Sequence, residues 1–241
     1  IANSEGSHTV CMQTKDGAGN ESSTIATDTI TLDTVLPGSS VATSGALGPA
    51  STAGAITDIS GAASDATAGV SGVALSLQAG AGNCLNAGKT AFDALCPVWH
   101  TASGTISWTL SIFDSLLSNG VTYNLSSRAT DLANNVQTSF GSGSFTWDDS
   151  APDSTFVVNS NSTYVNTTGV SLTITTTAGV VQYRVANGAN CSGASWQVFG
   201  GNPISHTLAS GDGANTVCME VKDAVGNVST TSTDGITLDE T

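Results

Sequence analysis

The sequence predicts an all-β protein made of tandem antiparallel β-sandwiches, and three observations carry that expectation. Apolar residues alternate with small or polar ones at a period of two rather than 3.6. Gly supplies 27 of the 241 positions, and Ser plus Thr make up roughly a quarter of the chain, a composition that suits turns and β-branched strands. A long internal repeat then sets the organisation. His8–Asn20 aligns on Asn215–Asn227 with eight of thirteen residues identical, an offset of 207, and Ile30-Thr-Leu-Asp33 aligns on Ile236-Thr-Leu-Asp239 at 206.

Taken along the chain, that repeat divides it. Arg128-Ala-Thr-Asp131-Leu-Ala-Asn-Asn135 followed by Phe145-Thr-Trp-Asp148 is a weaker echo of the same ending, and Pro37 and Pro152 follow Asp33 and Asp148 at matched spacing. Pro with Asx and Ser marks a junction. The expected parts are 1–34, the closing strands of a preceding repeat; 35–150, domain A; and 151–241, domain B. In A the alternation falls on Val73, Leu75 and Leu77, on Ile106, Trp108, Leu110 and Ile112, and on Tyr123, Leu125 and Ser127. In B it falls on Val170, Leu172 and Ile174, on Val181, Tyr183 and Val185, and on Val217, Met219 and Val221. Short strands at this spacing with Gly, Asn and Ser between them specify a sandwich, and no helix of ordinary length is expected.

The Asp-x-Ala/Val-Gly-Asn-x-Ser turn, the Thr-Leu-Asp-x-x-x-Pro junction, the run Ile59–Val73, the stretch Pro97–Trp108 and the approach Gly211–Val217 resemble the bacterial Ig-like repeats of very long extracellular proteins. The resemblance covers nearly the whole chain. It implies tandem Ig-like domains acting as stalks, filaments or adhesive surface structures, with an extracellular or cell-surface location.

Charge narrows the function classes. Five Lys and Arg against nineteen Asp and Glu give a formal charge of −14. The cations are scattered, which excludes the clustered positive charge that nucleic-acid binding needs. No apolar run reaches the ~18 residues of a membrane span. His8, His100 and His206 lie apart, and neither a nucleophile elbow nor a phosphate loop opening a helix is present, so no enzyme is expected.

Five cysteines are an odd number that the repeat accounts for. Cys84 with Cys96 and Cys191 with Cys218 are expected as disulfides, which implies an oxidising compartment. Cys11 is the repeat equivalent of Cys218 and has no partner within the sequence. Cys218 is out of phase with Val217 and Met219, so its bond is expected on the outer face of a sheet, stapling the 187–195 loop. A zinc site on Cys84, Cys96 and His100 lacks a fourth ligand at finger spacing.

Asp16, Asp131 and Asp223, each four residues before an Asn, read first as turn residues. Calcium is the hard cation that crowded acids would suit, and Asp148, Asp149 and Asp153 are the candidates for it at a junction. Asn20, Asn124, Asn161, Asn166, Asn190 and Asn227 stand in glycan-acceptor triplets. The expected role is a structural building block of a surface fibre, stalk or filament whose partners are upstream repeats of the same chain or neighbouring copies. The alternative is an adhesin module that binds glycan or a host protein through loops such as 83–100. Trp99, Trp108, Trp147 and Trp196 could stack on sugars, but most read as core or rim packing, since Trp108 shares parity with Ile106 and Leu110.

Overall fold

The computed structural model describes residues 4–49 and 56–241; residues 1–3 and 50–55 of the expected parts lie outside the described residues. It is all-β: its strands pair antiparallel except at Tyr164–Val165, and among the described residues two single 3₁₀ turns lie at Asp114–Leu116 and Asn159–Asn161. The chain forms two compact units, Ile1–Gly45 with Ile56–Thr146, and Ala46–Ala55 with Trp147–Thr241.

In the first unit, a three-stranded sheet runs in the order Ser107–Phe113, Ile56–Ser64, Gly38–Val41. The larger sheet is centred on Val70–Ala79 and Thr122–Asp131, which pair over nearly their whole length. Inward positions match the alternation: Val73, Leu75 and Leu77 face the core with Trp108, Leu110, Ile112, Tyr123 and Leu125, all almost fully buried. Ser127 is buried too, and Ser39 Oγ satisfies its hydroxyl at 2.8 Å while also donating to Gln137 Oε1. Gly61 lies opposite Trp108 in the strand register. A Cβ there would stand 2.2 Å from the indole and 2.0 Å from the Ser40 carbonyl, so the close approach requires Gly.

The second unit packs Ser154–Val158, Gly169–Thr176 and Ile204–Thr207 against a sheet ordered Tyr164–Val165, Ser232–Leu238, Gly213–Asp223, Val180–Asn187, Gln197–Val198. Its first strand pairs parallel to Ser232–Leu238. Phe156, Val158, Val170, Leu172, Ile174, Val217, Met219, Val221 and Ile236 form one core.

Two positions depart from the expected alternation. Val181 is 40% exposed because the ladder slips between Val180 and Gln182, which turns Val180 inward in its place. Ile106 is 71% exposed because its strand begins only at Ser107, after the Gly104 turn at φ +86°.

A separate two-stranded ribbon, Gly6–Met12 with Ala26–Leu32, completes the described chain. Its pairing runs from Gly6↔Leu32 to Met12↔Ala26, the same register as Gly213↔Leu238 to Met219↔Ser232 in the second unit.

Candidate functional site

The chemistry of the chain is concentrated in its cross-links and in one turn that occurs three times. Cys84 is bonded to Cys96 and Cys191 to Cys218. Cys218 pairs across to Ala186, while its neighbours Val217 and Met219 enter the core, so this bond staples the loop after Val180–Asn187 to the outer face of the sheet. Cys84 and Cys96, joined to each other, have no thiolate to offer zinc. His100 is buried and its Nε2 lies 3.2 Å from the Leu85 carbonyl. Burial, with repulsion from Lys89, holds its imidazole below the usual range near 6.5, against the opposing pull of that carbonyl. Cys11 is free and exposed.

The repeated turn is Asp-x-x-x-Asn. Asp223 Oδ1 accepts the amides of Val225, Gly226 and Asn227 at 2.8–3.0 Å, and Oδ2 accepts Asn227 Nδ2 at 2.9 Å. Asp131 accepts the Asn135 amide and its Nδ2 at 2.8 Å each. Asp16 accepts the amides of Ala18 and Asn20 and the Asn20 Nδ2, all at 2.9 Å. The Asn20 hydrogen bonds, chiefly the side-chain one, hold the Asp16 carboxyl below the ordinary carboxylate range. Gly226 and Gly19 make the sharp bend, at φ +105° and +93°.

Two of these turns do something further. Asn135 Nδ2 also donates to the Asp33 carbonyl at 3.0 Å, and Asn227 Nδ2 donates to the Asp148 carbonyl at 3.0 Å. Asp33 and Asp148 are the matched junction residues of the sequence, so each turn holds the chain where it enters a sandwich. The sequence shows the Asp–Asn spacing, but not this second acceptor, which is 102 residues away in one case and 79 in the other.

Of the three junction acids singled out for calcium, Asp148 Oδ1 accepts the Ser150 amide at 3.1 Å and the Asp153 carbonyl accepts the Thr177 amide and the Thr176 hydroxyl; Asp149 also has an interaction of its own. Among the described residues, the carboxylates that converge are Asp33, Asp65 and Asp131, one oxygen of each lying within 4.8 Å of the others. Backbone amides offset their mutual repulsion. Asp65 Oδ1 takes those of Thr67, Ala68 and Gly69, and Asp33 takes those of Val35 and Ala68. The Gly69 bond is the main reason the Asp65 carboxyl titrates low. In the second unit the matching turn before a strand is Thr177-Ala178-Gly179, which has no acid.

Three of the five cations lie over the protein's own rings. Arg128 lies 4.4 Å over Trp99, and Arg184 and Lys222 lie 4.7 and 4.4 Å over Trp196. Arg184 also pairs with Glu220. Trp108 and Trp147 are buried. Among the described residues no helix is long and apolar enough to cross a membrane.

The sequence matches no known protein family and no curated protein. Solved structures do match. A run of titin domains superposes with a TM-score of 0.51 at 14% identity over 98% of this chain and 75% of that one. A segment of a 1.5-MDa bacterial ice-binding adhesin gives 0.50 at 16% identity over 84% of this chain. The chain spans 64% of the length of that adhesin structure. The chain has the Ig-like repeat fold. At these identities the likeness speaks for fold alone, and in fold it agrees with the resemblance to Ig-like repeats.

Proposed function

We propose that this chain is a structural segment of an extracellular repeat protein, a run of Ig-like domains that builds length in a surface fibre, stalk or filament. The domains proposed are 35–150 and 151–241, with 1–34 closing a preceding one. The observation that carries the reading is the repeated device: two units each with its own core and its own disulfide, and in each an Asp–Asn turn that holds the incoming junction strand. In such an array each sandwich is stabilised by itself, and length grows with copy number. Disulfides suit an oxidising exterior, and five Lys and Arg in 241 residues offer few trypsin-type cleavage sites. The Trp rings accept the chain's own cations, which supports a spacer over a sugar-binding platform. No catalytic step is part of the proposal.

Single-molecule stretching tests it. Pulled from its two ends, the 241-residue chain should give two separate unfolding events. Reduction should lengthen their contour increments by about 4 nm and 10 nm, the 12 and 27 residues locked by the disulfides at roughly 0.36 nm each. A single merged event, or extension with no resisting event, contradicts a chain of separately closed domains.

A further inference from the structure

The ribbon Gly6–Met12/Ala26–Leu32 repeats the register of the closing pair of the second unit but not its surroundings. Val217, Met219 and Ile236 are 0–4% exposed; their counterparts Val10, Met12 and Ile30 are 48–62% exposed. Cys218 is bonded and buried, while Cys11 is free. Gly213–Asp223 pairs with Val180–Asn187 on the edge away from Ser232–Leu238, whereas among the described residues Gly6–Met12 pairs only with Ala26–Leu32. Lys222 lies over Trp196, while Lys15 reaches Glu21 at 3.6 Å in solvent. Asn227 donates to the Asp148 carbonyl as well as to Asp223, and Asn20 makes the Asp16 half of that arrangement.

We infer that this ribbon is one half of a recognition surface whose occupant is a counterpart of residues 148–207 in the preceding repeat of the same polypeptide, cross-linked to Cys11 through its equivalent of Cys191. The inference rests on the repeat reading above. The second unit shows what such a segment brings: an apolar sheet for Val10, Met12 and Ile30, a strand for the free edge, a cysteine for Cys11, an aromatic face for the Lys15 ammonium, and a junction carbonyl for Asn20. A second copy is the weaker source. Its own 148–207 stretch is already covered by residues 213–238 and covalently tied by Cys191–Cys218, so a donated ribbon would have to displace a bonded equal. A preceding repeat has no rival ribbon, and a tether raises its effective concentration. Closing the bond joins two thiols as a disulfide; their two electrons and two protons pass to a disulfide oxidant of the exterior, which leaves as two thiols after thiol–disulfide exchange.

The test compares the 241-residue chain with one in which a copy of residues 148–207 directly precedes Ile1. The shorter chain should show one alkylatable thiol, at Cys11. In the longer one that thiol should disappear into a bond between Cys11 and the added copy of Cys191, and amide exchange over residues 6–12 should slow by at least ~100-fold. A Cys11→Ser version of the longer chain should keep the slowed exchange, which separates packing from cross-linking. Alkylation of Cys11 and exchange of 6–12 both unchanged in the longer chain would overturn the inference. So would oxidised dimers of the 241-residue chain linked Cys11 to Cys191, which would assign the ribbon to a second copy. None of these outcomes alters the two unfolding events by which the spacer role is judged.

Discussion

The ribbon 6–32 and the closing pair 213–238 are nearly the same piece of polypeptide in two settings. They share register, turn and side chains at Val10/Val217, Cys11/Cys218, Met12/Met219 and Ile30/Ile236. One set is buried and cross-linked, the other exposed and free. The difference teaches that turn chemistry and pairing are local, written in the hydrogen bonds of the Asp16-x-x-Gly-Asn20 pattern, whereas stability comes from what covers the sheet. An isolated two-stranded hairpin is marginal in water. Identical substitutions at matched positions should therefore have unequal effects.

The largest contrast is expected for Val217→Asp against Val10→Asp. The first buries an unpaired carboxylate in a sealed core and should cost about 4–5 kcal/mol, or unfold the second unit outright. The second should leave chemical denaturation of both units within about 0.5 kcal/mol. Equal losses would break the comparison. Next come the thiols. Removing the Cys191–Cys218 bond with serines should cost the second unit about 3–4 kcal/mol through the 27-residue loop it closes, whereas Cys11→Ser should not move the denaturation midpoint.

A smaller effect sharpens the role of the turn. Asn227→Ala removes hydrogen bonds to both Asp223 and the Asp148 carbonyl and should cost about 1–2 kcal/mol. Asn20→Ala, read by the same melt, should fall within about 0.5 kcal/mol. The smallest expectation concerns pH. Burial lowers the folded-state pKa of His100, so its neutral form favours the fold, and that contribution is complete above pH 6.5. Below 6.5 the unfolded chain binds the proton first, so stability of the first unit should decline as pH falls toward the folded value. His100→Gln should flatten that part of the profile; an unchanged slope would show that the carbonyl contact cancels the effect of burial.

Much of the fold was legible because alternation is a local code. Leu75, Leu77, Trp108 and Leu110 face inward as their spacing requires. It misleads at Val181, where a ladder slip inserts a residue that no composition signal marks, and at Ile106, where the strand starts one residue late. The candidate site was legible only in its local half. The Asp–Asn spacing reveals the turn, but the Asp33 and Asp148 carbonyls that it also holds come from distant segments. Asp65 was missed for the same reason: nothing near it in sequence brings it to Asp33 and Asp131. The one signal it offered was Gly69 four residues later, at φ +85°, completing an amide nest around its carboxylate.

Native-state amide hydrogen exchange of the 241-residue chain, compared residue by residue between 6–12 and 213–219, tests most directly whether cover rather than sequence gives these strands their stability. The account predicts that 213–219 exchange only with opening of the whole second unit, and that 6–12 exchange close to the rate of unprotected peptide despite the same pairing register. Equal protection of the two strands would contradict it.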